Sequence, residues 1–217
     1  MPGEDGFVAF EYISGPDYLN EGGKRTRGAQ CTSVDAAMGL VREGRRELLL
    51  IEWKYTESYG APLENKARSG AKDGLNTSND VRRSRYSPWF EKVIDTDGGD
   101  RGIDLFFAEP FYQLMRQQML AHAIESDTTD PRSFFDRVTL CHVSPEGNSK
   151  LKRVTVEGLA EAIGSESACG GWGRLLRQPD RYKPVSVEDL FRSFPIEGHP
   201  DLAEWHAYMR ERYAFLA

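Results

Sequence analysis

Apolar positions along the chain fall into short runs separated by polar, glycine-rich or charged segments, and the spacing within each run sets the element expected there. FVAFEYI, Phe7 to Ile13, reads as an early strand, and the glycine-rich PDYLNEGGKRTRGA that follows reads as a loop. In Ser33–Glu57, SVDAAMGLVREGRRELLLIEWKYTE, two apolar runs flank a charged turn, the pattern of a hairpin. Lys66 to Arg85 is polar and mostly basic, and fits either a solvated loop or a backbone-phosphate contact zone. DTDGGD, Asp95 to Asp100, lacks the spaced ligands of an EF-hand and reads as a turn.

Beyond it, Ile103 to Phe107 is an apolar run expected to form a buried strand. Glu109-Pro110 then opens a helix, FYQLMRQQMLAHAIE, with Leu114, Met115, Met119 and Ala123 on its apolar side. RVTLCHV, Arg137 to Val143, reads as a further strand, and VEGLAEAIG, VEDLFRSF and DLAEWHAYMRERYAFL read as helices. The mixture implies an α/β or α+β sheet with helical cover, in a single domain spanning 1–217 whose part beyond about 150 is mostly helical. No internal repeat or low-complexity segment interrupts it.

Composition narrows the function classes. A formal charge of -6 argues against coating nucleic acid by bulk charge, so any such contact is expected to be focused. No apolar run approaches a membrane span, and MPGEDGF lacks the features of a secretory signal, so a cytoplasmic location is expected. Cys31, Cys141 and Cys169 suit reduced thiols, and the absence of CxxC and HExxH leaves a zinc site without support. His122, His142, His199 and His206 are scattered and read as helix surface or satisfied core, while Trp172 and Trp205 read as packing.

The hairpin carries the chemistry. A turn centred on Glu43-Gly44 puts Asp35 directly opposite Glu52, with Cβ atoms roughly 4.5 to 5.5 Å apart on one face. Lys54 falls on that face as well, while Ile51 and Trp53 point away. Two opposed carboxylates make an oxygen site for a hard divalent cation, Mg²⁺ with Mn²⁺ as a substitute, and a neighbouring lysine suits phosphodiester hydrolysis. The same three residues could equally form a cross-strand salt bridge on a solvated face. A one-residue slip in register would carry Asp35 to the other side.

Asp35 followed by Glu52-Trp53-Lys54, at a seventeen-residue spacing, resembles the PD-(D/E)XK nuclease superfamily, the restriction-endonuclease-like fold. The longer strings RGAQCTSVDAAM, LIEWKYTESYG and EPFYQLMRQQ are similar to a bacterial branch of it, with the resemblance running from about Phe7 to about Val143. It implies a mixed β-sheet flanked by helices, and a metal held by Asp35, Glu52 and the Trp53 carbonyl, with Glu11 as an extra carboxylate. Lys54 is expected beside the scissile phosphate, and Gln113 or Gln117 reaches in from the helix after Pro110. Tyr55, Glu57 and Tyr59 continue past Lys54, and Glu57 could join the acid cluster or pair with a loop lysine. Lys72, Arg82, Arg83, Arg85 and Arg116 are the candidate nucleic-acid contacts. The expected activity is metal-dependent cleavage of nucleic acid, with DNA the expected substrate in restriction, defence or repair, by an enzyme able to act as a homodimer. Two other readings stay open: an inactive nucleic-acid- or protein-binding domain on the same fold, and an assembly protein whose acids merely salt-bridge. The chain departs from the superfamily in having Ser33-Val34 where the motif's proline stands, and in starting too close to its first strand for a long N-terminal helix.

Overall fold

The computed structural model describes residues 8–22, 31–57, 62–97, 101–129, 134–164 and 167–216. Parts of the expected glycine-rich loop, Tyr59 and the latter half of DTDGGD lie outside the described residues.

A five-stranded mixed sheet in sequential order is built from β1 (Val8–Tyr12), β2 (Val34–Arg42), β3 (Arg45–Trp53), β4 (Arg137–Ser144) and β5 (Tyr182–Ser186). β1 pairs antiparallel with β2 and β2 with β3, whereas β3 pairs parallel with β4 and β4 with β5. The β2–β3 register follows from its turn. Glu43 and Gly44 both have positive φ, at 51° and 76°, as a two-residue loop matched to the strands' right-handed twist requires. Arg42 faces Arg45, and the ladder runs on to Ala36 opposite Ile51, so Asp35 and Glu52 are the next pair in line.

β4 is buried along nearly its whole length, as an interior strand of the parallel part must be, although Thr139, His142 and Ser144 are polar. β5 contains Pro184, which an edge strand tolerates because its missing N–H breaks no interior ladder. This strand lies inside the stretch read as mostly helical; too short and polar to show alternation, it forms because β4 offers it a parallel edge.

Between β3 and β4 the chain forms two long helices, α1 (Ser78–Val93) and α2 (Phe111–Ser126). Further along are α3 (Ser149–Lys152), α4 (Glu157–Ile163), α5 (Ala168–Gly171), α6 (Val187–Arg192) and α7 (Ala203–Arg212). α2 lies against the sheet. Leu114, Met115, Met119 and Leu120 join Leu48, Leu50, Val138 and Leu140 in the core, where each fully buried apolar side chain contributes about 1.5–3 kcal/mol. Trp172, fully buried, meets Phe106 edge-on with ring centroids 6.0 Å apart.

Two expectations are corrected. Ile103–Phe106 is a 3₁₀ turn, not a strand, since an apolar run this short specifies burial but not conformation. The basic segment up to Arg85 does not stay loop-like: its second half is the start of α1, nucleated by a capping box. Thr77 Oγ1 accepts the Asp80 N–H at 3.2 Å, and the Asp80 carboxylate accepts the Thr77 N–H at 2.8 Å. α2 packs on the sheet and α1 packs on α2, in a chain whose first described element is a strand. Among the described residues no helix is long and apolar enough to cross a membrane.

The described residues cover the face of β1–β3 turned away from α2 only in part. Met38, Leu49 and Ile51 are half-buried there, and Phe10 is 78% exposed.

Candidate active site

Strand alternation decides which side chains reach the α2 side of the sheet. Ala37, Leu48 and Leu50 pack inward, and two residues further along β3 the same face delivers Glu52, only 3% exposed. A carboxylate so deep needs partners, and the structure supplies three. Lys54 Nζ lies 2.5 Å from Glu52 Oε1, Gln113 donates its side-chain amide to the same oxygen at 2.8 Å, and Gln117 donates to Oε2 at 2.7 Å. Gln113 and Gln117 stand one turn apart on α2, which is why both reach one carboxylate. Gln117 also donates to the Ser33 carbonyl at 3.1 Å, tying α2 to the start of β2.

Asp35 closes the cluster from β2. Its Oδ2 accepts the Trp53 N–H at 2.7 Å, so its carboxylate is pinned across the end of β3, between Glu52 and Lys54 in sequence. Lys54, 9% exposed, extends the sheet with its own N–H donating to the Val143 carbonyl at 2.9 Å. Glu57 turns back towards it, with Oε1 4.0 Å from Nζ and Oε2 accepting the Tyr55 N–H at 2.7 Å. Asn148, at the start of α3, holds this exit by donating to the carbonyls of Tyr55 and Glu57 at 3.0 and 3.2 Å. Glu11 falls between Phe10 and Tyr12, which pair with Ala36 and Val34, so the register sets it across from Asp35, exposed and with φ 53°.

The electrostatics carry a clear sign. Burial raises the Glu52 pKa, Lys54 opposes that with its charge and hydrogen bond, Asp35 adds to it by repulsion, and the Gln117 bond lowers it. Burial and the Asp35 charge together outweigh the ammonium, so the carboxylate is under-compensated. His142, the β4 residue in register with Glu52, is buried too, and its pKa is held down to about 4 by burial and then by Lys54. Its Nε2 stands 3.7 Å from Cys169 Sγ.

A hard divalent cation fits this donor set. Among the described residues no group of three or more His, Cys, Asp or Glu side chains gathers as a ready-made metal cage. Two carboxylates on one face, with water completing the shell, is what Mg²⁺ takes where substrate phosphate must share it. Gln117 Oε1, buried beside Glu52, accepts no hydrogen bond from the described residues and suits a water of such a shell.

The predicted basic contacts divide differently. Arg116 on α2 is drawn inward: Nη2 lies 2.9 Å from Glu21 Oε1, and Nε donates to Thr32 Oγ1 at 3.1 Å. Glu21 also accepts the Tyr86 hydroxyl at 2.8 Å, so this buried ion pair joins the loop before β2 to both long helices. Arg85 donates to the Glu21 carbonyl at 3.0 Å, and Arg82 donates to the Glu64 carbonyl at 3.1 Å while lying over the Tyr112 ring. Arg83 pairs with Asp80 and Asp104 at 2.7 and 2.8 Å. Lys72 is exposed in the turn before α1.

Glu109, four residues before Gln113, went unassigned in the sequence. Its Oε2 accepts the Gln113 N–H at 3.2 Å, and burial raises its pKa against the pull of that bond, Arg116 and Lys54. The four-residue spacing within EPFYQ was the available signal.

A family model described as restriction endonuclease associating with ARP matches residues 1–214 of this chain. Comparisons with curated proteins and with solved structures return no match.

Proposed function

The chain belongs to this restriction-endonuclease-type family, and on that premise we propose that it is a metal-dependent nuclease of the PD-(D/E)XK kind, hydrolysing phosphodiester bonds in DNA. The observation that carries the reading is Glu52: a deeply buried carboxylate, oriented by two glutamines, under-compensated by its lysine and neighboured by Asp35. A carboxylate serving only as half of a solvated salt bridge would sit in water and need no such cradle.

Asp35 and Glu52, with the Trp53 carbonyl, would hold Mg²⁺ or Mn²⁺. Bound there, the cation would lower the pKa of a water and offset charge on the phosphoryl oxygens. The chain's own residues do the rest. Gln113 and Gln117 fix the Glu52 oxygens, the Trp53 N–H fixes Asp35, and the Lys54 ammonium donates to a non-bridging oxygen of the scissile phosphate, stabilising its charge as water attacks. The family description also names association with ARP. For that contact we propose the partly covered apolar face of β1–β3 around Phe10.

The test is incubation of the purified protein with plasmid, linear DNA and RNA in Mn²⁺ or EDTA. Cleavage that needs Mn²⁺ and disappears in Lys54→Ala supports the reading. Binding that survives loss of both carboxylates, without cleavage in any condition, would instead favour a binding domain on the same fold.

A further inference from the structure

Beyond Glu52, 2.5 Å away, the Lys54 ammonium has a further carboxylate within reach: Glu57 Oε1, three residues along the chain, lies 4.0 Å from Nζ. That carboxylate is held by bonds of its own. Glu57 Oε2 accepts the Tyr55 N–H at 2.7 Å, and Asn148 donates to the carbonyls of Tyr55 and Glu57 at 3.0 and 3.2 Å. Asn148 is itself fixed as the cap of α3, where its Oδ1 accepts the Leu151 N–H at 3.2 Å. The turn after Lys54 is therefore clamped by the segment that follows β4. We propose that Glu57 is a positioning residue of this centre: it receives the Lys54 ammonium when Glu52 turns from ion pair to cation ligand, and Asn148 holds it where it can do so. The inference deepens the nuclease reading and rests on it.

Both oxygens of Glu52 are in use. Oε1 holds Lys54 and Gln113, and Oε2 holds Gln117. A divalent cation on that carboxylate repels the ammonium, so Lys54 must leave the oxygen and still stay at the phosphate. A shift of about 1 Å towards Glu57 turns the 4.0 Å approach into a charge-assisted hydrogen bond. With its side chain 40% exposed, Glu57 adds little to the stability of the metal-free protein. What it contributes is place, because its backbone bonds orient the carboxylate before any cation arrives. Partial burial raises the Glu57 pKa, but the backbone bonds and the Lys54 charge together bring it below the ordinary glutamate value, which keeps the receiving group ionised.

Two readouts on the full chain test this, one of them independent of activity. In crystals soaked with Mn²⁺, Lys54 Nζ should stand about 2.7–2.9 Å from Glu57 Oε1; an ammonium still on Glu52, or turned away from Glu57, overturns the inference. Glu57→Gln removes the charge while its carbonyl still accepts the Tyr55 N–H. With Mn²⁺ and linear DNA it should lose kcat by about tenfold to a hundredfold, the size of effect a misplaced reacting group produces. KM, the heat of Mn²⁺ binding and the melting temperature should stay at wild-type values. Asn148→Ser keeps a capping oxygen for α3 but is too short to reach the two carbonyls. It should lower kcat as well, and the double variant should be no slower than the slower single one, since both act on one clamp. A Glu57→Gln protein that cuts at the wild-type rate overturns the inference, as does one that loses Mn²⁺ affinity, which would make Glu57 a ligand, or one that melts early, which would make it structural. Losses that multiply in the double variant overturn the role of Asn148. A wild type that cuts nothing removes the nuclease reading and this inference with it, whereas an active wild type beside an equally active Glu57→Gln sinks the inference alone.

Discussion

Replacing Lys54 with methionine isolates the under-compensated carboxylate. Methionine preserves most of the stem volume and deletes the ammonium that lies 2.5 Å from Glu52. Glu52 then stays at 3% exposure with only the two amides of Gln113 and Gln117 as donors. Removing one member of a buried ion pair costs about 3–5 kcal/mol when the other stays charged. The size here must depend on pH, because Glu52 can escape by taking up a proton. Its folded pKa already lies above the value of a free carboxyl, so the folded protein keeps a proton that the unfolded chain has released. Stability therefore falls as pH rises between those two values. Loss of Lys54 removes the opposing influence and pushes the upper end of that window higher. Urea denaturation of metal-free wild type and Lys54→Met should give similar stabilities near pH 4.5. The deficit of the variant should then grow by up to about 1.4 kcal/mol per pH unit, reaching about 3 kcal/mol by pH 7. A deficit that is flat from pH 4.5 to pH 8 would refute the reasoning, since it would mean that Glu52 is not the group left unpaired.

Asp35→Asn should abolish Mn²⁺-dependent cleavage and the heat of Mn²⁺ binding while changing the denaturation midpoint little, because the asparagine carbonyl can still accept the Trp53 N–H. Arg116→Met should destabilise by about 3–5 kcal/mol by stranding buried Glu21, yet leave DNA affinity at equal folded fraction unchanged; a selective loss of affinity in a stable variant would restore Arg116 as a nucleic-acid contact.

What could be read from the letters was what local rules determine. The Glu43-Gly44 turn fixes the hairpin register, and register with alternation puts Asp35, Glu52 and Lys54 on one face. Gln113 and Gln117 were both legible as candidates, and they reach the same carboxylate because residues one helical turn apart share a side. Helix α1 was hidden because its second half holds its few buried residues, Tyr86, Phe90 and Val93, while its first turns are basic; the Thr77–Asp80 capping box was the missed cue. The run of arginines was legible as charge but not as partnership. Arg83 meets Asp104 and Arg116 meets Glu21 only after folding, and no spacing rule links residues so far apart in sequence. Strand β5 depends on the same kind of tertiary juxtaposition.

Crystals soaked in Mn²⁺ and measured at its absorption edge test the central claim most directly. The account predicts one strong anomalous peak about 2.0–2.3 Å from oxygens of both Asp35 and Glu52, with the Lys54 ammonium displaced from Glu52. No peak between those two carboxylates, or one elsewhere with the Lys54–Glu52 pair intact, would contradict it.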